Sequence, residues 1–378
     1  MITISDKTLC CGCTACVTAC PAQCIVMRRD REGFDYPFVN SPDLCISCGK
    51  CEKVCPMLNS PEEVTPECVY AARVPEYVDG SSSGGVFPYT AEKVISTGGV
   101  VYGAVLEDDM RIGHCEASDM EGVAKMRGSK YVQSDMYSTF EEVQEYLKEG
   151  RTVLFTGTPC QVAGLNSCLG KPYEGLYTID FACHGVPAPG LWEKYVKALE
   201  KKHGAPVKQV SFRDKSLGWR HYGFRFNDHC VPYIEDPYMA LFVQDMTLRP
   251  SCFNCSLRNG RSGSDLTLAD LWNVNEAAPE LNDDKGVSAV FVNTAKGREL
   301  IEGLELRPVS FELAKNDNGG FASHVQIPQK REEFFSGVHS ADDLVRYMKS
   351  YVIRKPFHVR IYKGLRGWLS KVKRRIMG

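Results

Sequence analysis

The sequence contains no apolar run of the roughly 20 residues that a membrane-spanning helix requires. It also lacks an excess of charge of either sign, because 45 lysines and arginines stand against 47 aspartates and glutamates, for a net charge of −2. A nearly neutral chain gives no reason to expect a nucleic-acid partner. Residues 1–6 carry neither the basic nor the apolar stretch of an export signal. We therefore expect a cytoplasmic protein with no nucleic-acid partner.

The two common phosphate-binding patterns are missing as well. Neither G-x-G-x-x-G nor G-x-x-x-x-G-K-[ST] occurs anywhere in the chain. Their absence disfavours a standard Rossmann or P-loop nucleotide site. Any dinucleotide that binds here must be held by a different arrangement.

Cysteine, by contrast, is abundant, with 18 residues. Eight of them form two runs of the pattern C-x2-C-x2-C-x3-C-P, namely Cys10, Cys13, Cys16 and Cys20, then Cys45, Cys48, Cys51 and Cys55. This spacing is typical of proteins that bind a pair of [4Fe–4S] clusters, in which the last cysteine of each run ligates the other cluster. Zinc usually takes separated cysteine pairs, and a disulfide framework needs an oxidising compartment. The pattern therefore predicts two clusters, with Cys20 completing the second and Cys55 the first.

Composition divides the chain into three parts. Residues 1–60 form a small α+β, ferredoxin-like dicluster domain, followed by a linker with two prolines. Residues 66–310 alternate short apolar strands with helical patterns, which predicts an α/β domain with a largely parallel sheet. Residues 311–378 form a helical extension that ends in a basic tail from Arg354 to Gly378. That tail is expected to be a solvated helix, and peripheral membrane contact is the less favoured alternative.

Four further cysteines follow predicted strands or form a pair. Cys160 and Cys183 each come directly after a strand, and Cys252 and Cys255 form a C-x2-C loop. Ligands gather at the carboxyl ends of parallel strands, so these four can converge on one metal or cluster. Spacing alone leaves other chemistries open, since Cys160 could be a nucleophile and the pair a redox dithiol.

Two segments have a composition suited to a diphosphate. Ser81–Gly85 precedes a helical pattern, and small residues there let backbone N–H groups approach a phosphate. Arg127–Ser134 combines two cations, hydroxyl groups and a tyrosine. Ordinary exposed loops have similar compositions. A flavin would nevertheless suit a cluster protein, because it converts hydride into single electrons.

Several uncommon motifs occur together in one order along the chain. They are Ser81–Gly85, Arg127–Ser134, Gly157–Gln161, Cys183–Pro187, Phe212–Ser216, Arg249–Cys255, Ser264–Leu268 and Asp283–Ser288. Together with the cysteine runs they resemble the coenzyme F420 hydrogenase/dehydrogenase beta-subunit family, in the form with an N-terminal dicluster domain.

The resemblance implies an FAD-binding domain with its own [4Fe–4S] cluster and two-electron exchange with a soluble deazaflavin coenzyme. It favours a third cluster on Cys160, Cys183, Cys252 and Cys255. The residues implied for FAD contact are Ser82, Ser83, Gly84, Arg127, Ser129 and Lys130.

The leading hypothesis is thus a flavin- and iron–sulfur-dependent oxidoreductase that exchanges electrons with a redox partner. No catalytic residue is assigned, although His184 and Lys130 are candidate donors near the flavin. One alternative is an electron-relay subunit that serves a separate reductase, such as one modifying a polysaccharide. Another is a binding module in which the central cysteines hold structural zinc.

Overall fold

The computed structural model describes residues 2–322 and 325–353. Its strands are β1 Ile25–Arg29, β2 Asp35–Val39, β3 Cys68–Ala72, β4 Val100–Leu106, β5 Ile112–Ala117, β6 Val153–Thr156, β7 Leu176–Phe181, β8 Val210–Asp214, β9 Gly223–Phe226, β10 His229–Pro232, β11 Leu266–Asp270, β12 Ser288–Val292 and β13 Leu306–Pro308. Its helices are α1 Ala15–Thr18, α2 Lys50–Lys53, α3 Pro75–Val78, α4 Val86–Ser96, α5 Met120–Met126, α6 Thr139–Lys148, α7 Pro159–Leu169, α8 Pro189–His203, α9 Pro237–Val243, α10 Val274–Ala277, α11 Ala295–Leu300, α12 Phe311–Asp317, α13 Gly319–Ala322, α14 Arg331–Gly337 and α15 Leu344–Tyr351. The predicted basic tail, from Arg354 to Gly378, lies outside the described residues.

The N-terminal unit repeats one backbone conformation in its two cysteine runs. The residues on either side of the second cysteine are left-handed in both runs, Gly12 and Thr14 in the first and Ser47 and Gly49 in the second. A short helix follows each turn, α1 in the first run and α2 in the second. Strands β1 and β2 form an antiparallel hairpin between the runs. The ferredoxin-like unit predicted from the ligand pattern is therefore confirmed.

The central unit is built on an eight-stranded sheet in the order β13-β3-β12-β11-β7-β6-β4-β5. Only its middle is parallel, where β4, β6, β7 and β11 lie side by side. The strands toward both edges pair antiparallel with their neighbours. The prediction of a largely parallel sheet is therefore wrong, and the sheet is mixed. Short buried strands have the same pattern in either orientation, and only the connections between them set the direction.

The connections explain the mixture. A tight turn, in which the Glu107 N–H donates to the Arg111 carbonyl, returns β5 beside β4 as a hairpin. In contrast, α7 carries the chain from β6 back to a parallel β7. Strands β8, β9 and β10 leave the main sheet and form a separate antiparallel sheet. Its inner face packs with α8 and α9 in an aromatic core that contains Trp192, Tyr195, Phe212, Phe224 and Tyr238.

The described part of the C-terminal extension packs back onto the rest of the molecule. The guanidinium of Arg331 binds both carboxylate oxygens of Glu32, at 2.6 and 3.0 Å, in the hairpin turn of the N-terminal unit. Phe334 and Phe335 enter the same core as Phe34 of that unit. Helix α15 lies against α8 and α9. The boundaries near residues 60 and 310 remain predictions, and residues from all three predicted parts share one core.

Candidate metal centres and cofactor cavity

The two N-terminal cysteine runs surround two small cavities. The first cavity is lined by Cys10, Cys13, Cys16 and Cys55, with Cys11 beside them. The second is lined by Cys20, Cys45, Cys48 and Cys51, with Cys24 beside them. Each cavity thus takes three cysteines from one run and the last cysteine of the other, the crossed arrangement predicted from the spacing. We call these groups of four the first and the second cluster site.

The four central cysteines come together where β7, α7 and the Cys252 loop meet. Cys160 is the second residue of α7, which begins with Pro159 after a capping box formed by Thr158 and Gln161. Cys183 follows β7, and its thiol interacts electrostatically with Cys160, Cys252 and Cys255. Burial raises the pKa of the Cys252 thiol to about 12, so these thiols are neutral until a metal displaces their protons.

In the part of the chain that the structure describes, no three His, Cys, Asp or Glu side chains are placed to hold one ion. The central cysteines are in this respect like the two N-terminal sites, whose sequence pattern is that of clusters. A zinc site with four cysteine ligands would require its sulfur atoms about 2.3 Å from one ion.

Cys11 connects the first cluster site to the central cysteines. Its buried thiol interacts with those of Cys13 and Cys160. Helix α7 also lies close to the first cluster site, because a Cβ added at Gly164 would be 3.1 Å from the Cys13 Sγ. Cys11 lies outside the C-x2-C-x2-C-x3-C pattern of the first run, and its position between two sites depends on the docking of α7.

A cavity of about 550 Å³ lies beside the Ser81–Gly85 loop. Of the residues predicted to contact FAD, it is lined by Ser82, Arg127, Ser129 and Lys130. Ser83 and Gly84 do not line it, because the Ser83 hydroxyl donates to the Val287 carbonyl and the Gly84 N–H to Ser288 Oγ. These two residues instead attach the loop to β12.

The predicted cations of this cavity are held by carbonyl groups. The ammonium of Lys130 donates to the carbonyls of Lys125, Met126 and Arg127 at the end of α5, at 2.7 to 3.0 Å. Burial lowers the pKa of Lys130 to about 7, whereas these three acceptors favour its charged form. Arg127 donates to the carbonyls of Tyr77 and Asp79. Neither cation has a carboxylate partner among the described residues.

Sequence reasoning assigned no role to several other residues of this cavity. Five cationic and three acidic side chains line it, namely Arg127, Lys130, Arg213, Lys215, Lys285, Asp79, Asp214 and Asp284. Lys215 donates to the carbonyls of Val78 and Lys285, and burial lowers its pKa to about 8. Most of these residues belong to the motifs at residues 212–216 and 283–288. Only the fold brings these two segments to the Ser81–Gly85 loop, which we call the serine loop.

A series of aromatic contacts joins the cavity to the central cysteines. Phe212 lines the cavity, and its ring lies 6.0 Å from that of Tyr131. Tyr131 stacks on Phe242 at 4.5 Å, and Phe242 meets the edge of His184 at 5.3 Å. His184 is the neighbour of Cys183 in the chain, and its Nε2 lies 2.7 Å from Asp245 Oδ1. His184 therefore lies beside a carboxylate and is not among the residues that line the cavity.

Two family models match this chain. Residues 9–59 match the 4Fe-4S dicluster domain, and residues 150–311 match the family described as the C terminus of the coenzyme F420 hydrogenase/dehydrogenase beta subunit. A protein described as Ferredoxin 7Fe, from Hydrogenibacillus schlegelii, is 46% identical over 43 residues, which are 11% of this chain and 47% of that ferredoxin. The chain thus spans about half the length of that relative.

A solved structure is also similar in part. It is a chain of the F420-reducing [NiFe] hydrogenase complex from Methanosarcina barkeri, 18% identical, with a TM-score of 0.45. The similarity covers 78% of this chain and 98% of that one. In the part of the present chain that the structure describes, no helix is long and apolar enough to span a bilayer. Residues 9–59 thus match a 4Fe-4S dicluster domain and residues 150–311 match the C-terminal domain of the coenzyme F420 hydrogenase/dehydrogenase beta subunit, the resemblance that the motifs predicted.

Proposed function

We propose that the protein is a flavin- and iron–sulfur-dependent oxidoreductase. It exchanges electrons between a soluble two-electron carrier of the deazaflavin type and a redox partner protein. One observation carries this proposal: an unbroken series of contacts leads from the 550 Å³ cavity, through the aromatic residues, to the central cysteines and on to the first cluster site. Cytoplasmic location is the expectation that accompanies it.

The cavity suits FAD by charge and by size. Arg213 pairs with Asp270 and Asp214 with Arg225, both partners lying outside the cavity. Four cations therefore remain against two acids, and a diphosphate supplies the missing negative charge. Ser82 and Ser129 are joined by a 2.8 Å hydrogen bond between their hydroxyl groups, which orients them at the cavity wall. A volume of about 550 Å³ lies within the usual range for cofactor pockets. We propose that Ser82, Arg127, Ser129 and Lys130 hold the cofactor, with Lys215 as an added contact.

The chain's residues position and insulate these groups. A bound flavin would accept a hydride and release electrons singly, and a cluster would accept them one at a time. Arg127, Lys130 and Lys215 hold positive charge at fixed places through backbone carbonyls. Phe212, Tyr131 and Phe242 place aromatic rings between the cavity and His184, the chain neighbour of Cys183. These tasks require preorganised geometry and no acid–base group.

The central cysteines fit a third [4Fe–4S] cluster better than the alternatives. Four mutually interacting thiols give an all-sulfur donor set. A catalytic nucleophile would need a lowered pKa, whereas the interaction with the Cys11 thiol, together with burial, raises the pKa of Cys160. We therefore propose Cys160, Cys183, Cys252 and Cys255 as its ligands.

The second cluster site is the proposed point of contact with the partner. Cys48 is exposed, whereas Cys10, Cys13 and Cys16 of the first site are buried. Leu44 and Ile46 lie beside it with exposed fractions of 59% and 68%, and no charged side chain lines the site. Exposed apolar side chains around an accessible ligand suit the docking of another redox protein.

An anaerobic absorbance titration with reduced deazaflavin coenzyme tests the proposal. The protein is reconstituted with FAD, iron and sulfide, and the flavin and cluster bands are followed together. We expect the flavin band to bleach first and the cluster bands afterwards. In a Cys183→Ala variant the flavin should still bleach while cluster reduction slows; Cys230→Ala, in the separate small sheet, should behave as the parent protein.

Three outcomes would contradict the proposal in different ways. Flavin that binds but remains oxidised with every soluble hydride donor would indicate a relay subunit for a separate reductase. Protein that retains no flavin would remove the hydride step altogether. Zinc in place of a third iron–sulfur cluster would indicate a structural role for the central cysteines.

A further inference from the structure

Arg249 occupies an unusual position between the first cluster site and the central cysteines. It is 1% exposed. Its Nε donates to the Cys10 carbonyl at 2.7 Å, and its Nη2 lies 3.7 Å from the Cys10 Sγ. The guanidinium also donates to Gln133 Oε1 and the Asp35 carbonyl, both at 2.8 Å. It lies over the aromatic rings of Tyr36 and Phe34, 4.3 and 5.4 Å from their centroids. The same charge acts on Cys160 and Cys252 of the central group.

No carboxylate within the described residues pairs with Arg249. Asp35 is an acidic residue that contacts Arg249, but it does so through its backbone carbonyl. Its carboxylate binds Arg29 instead, at 3.0 Å. A buried arginine without a counter-charge is strongly disfavoured. Four thiolates around an iron–sulfur cluster carry a net negative charge, so the first cluster is the counter-charge that this cation lacks.

The turn of the first cysteine run is shaped around this arginine. Gly12 has a φ of +71°, and a Cβ added there would lie 2.8 Å from the Arg249 Nη1. The equivalent position of the second run is Ser47, which has the same left-handed conformation and a side chain. The turn itself therefore accepts a side chain, and it is the arginine that requires glycine at position 12.

The two N-terminal sites thus differ in their electrostatic surroundings. The first has three buried ligands and a buried arginine beside the sulfur of Cys10, whereas the second has an exposed ligand, Cys48. Burial alone disfavours the reduced, more negative form of a cluster and so lowers its potential. We propose that Arg249 offsets this penalty, raises the potential of the first cluster, and so keeps electron exchange with its neighbours from being uphill.

This inference rests on the proposed function only for the direction of electron flow. The potential itself is measured on holoprotein with dithionite and mediators, followed by electron paramagnetic resonance, so it needs neither flavin reduction nor a soluble coenzyme. In Arg249→Gln, the resonance signal of one cluster should shift to a more negative potential. We expect its one-electron reduction equilibrium to change by at least about tenfold, which corresponds to about 59 mV. The component from the second site should not move. Arg249→Lys, which keeps the charge, should restore most of the shift.

The double variant Arg331→Gln/Glu32→Gln is the matched control. It removes another buried arginine together with its carboxylate, so the local net charge stays the same, and no potential should change. An unchanged potential in fully loaded Arg249→Gln would overturn the proposal.

Loss of iron from Arg249→Gln is also informative. Normal loading of Arg249→Lys would then support the charge role, because only the neutral variant fails. Loss of iron from the lysine variant too, with the control intact, would show that Arg249 acts only through its shape and hydrogen bonds. Gly12→Ala, which displaces the guanidinium but keeps its charge, should give a smaller negative shift.

Discussion

Gly164 lies directly against Cys13, so that a Cβ atom at this position of α7 would be 3.1 Å from the Cys13 Sγ. The helix that carries Cys160 at its start therefore packs on the loop of the first cluster site. Gly164→Leu should force α7 and this loop apart and destabilise the protein by about 1–3 kcal/mol through overpacking. Anaerobic thermal unfolding measures the loss.

The control for this change lies on the same helix. Ser167 is only partly buried, so Ser167→Leu should cost less than Gly164→Leu. Equal destabilisation by the two variants would show that the close contact between Gly164 and Cys13 is not the cause of the loss of stability.

The central cysteines make a prediction about iron content. Cys252→Ala should lower the iron of reconstituted protein by about four atoms from about twelve, because one of three [4Fe–4S] clusters is lost. Cys115→Ala, on β5, should leave the iron content unchanged. Elemental analysis for iron and zinc after anaerobic reconstitution measures the metal content of each variant. An unaltered iron content in Cys252→Ala would rule out this ligand set.

The flavin cavity makes a prediction about binding. Arg127→Gln should weaken FAD binding by about 10- to 100-fold, since a hydrogen bond to a charged group contributes about 1.5–3 kcal/mol. Fluorescence titration of the flavin measures the affinity. Arg151→Gln removes an arginine that lies on the ring of Tyr146, away from the cavity, and serves as the control. Equal affinity of the Arg127 variant and the control would place the flavin elsewhere.

A buried carboxyl group on β7 makes a prediction about pH. Burial raises the pKa of Asp180 from 3.8 to about 6. The folded state therefore holds its proton more tightly than the unfolded state between these values, and stability falls as the pH rises through this window. Asp180→Asn removes the dependence, so its stability relative to the parent should rise by about 1 kcal/mol from pH 5 to pH 8.

Denaturant unfolding under anaerobic conditions at the two pH values measures this difference. Asp228→Asn, at an exposed position, should show no such trend. A relative stability of Asp180→Asn that is flat or falls with pH would mean that Asp180 is charged in the folded protein at no cost.

The sequence by itself determined the features that depend on neighbours in the chain. The predicted ligands of the two N-terminal clusters follow from spacings of three and four residues, because one short turn must wrap one cubane. Strands such as Leu176–Phe181 and Ser288–Val292 follow from their own apolar residues, and both are present as predicted. The capping residues Thr158 and Gln161 set the start of α7 in the same local way.

Only the tertiary structure decided how distant segments meet. The mixed direction of the sheet depends on connections, and the cavity depends on the approach of residues 212–216 and 283–288 to the serine loop. Ser83 and Gly84 attach to β12, which a local pattern of small residues does not indicate. Arg249 is next to a proline and near two cysteines in the chain, but its contact with Cys10 requires the N-terminal unit to dock. Burial and charge compensation are properties of that docked whole, and a one-dimensional pattern does not contain them.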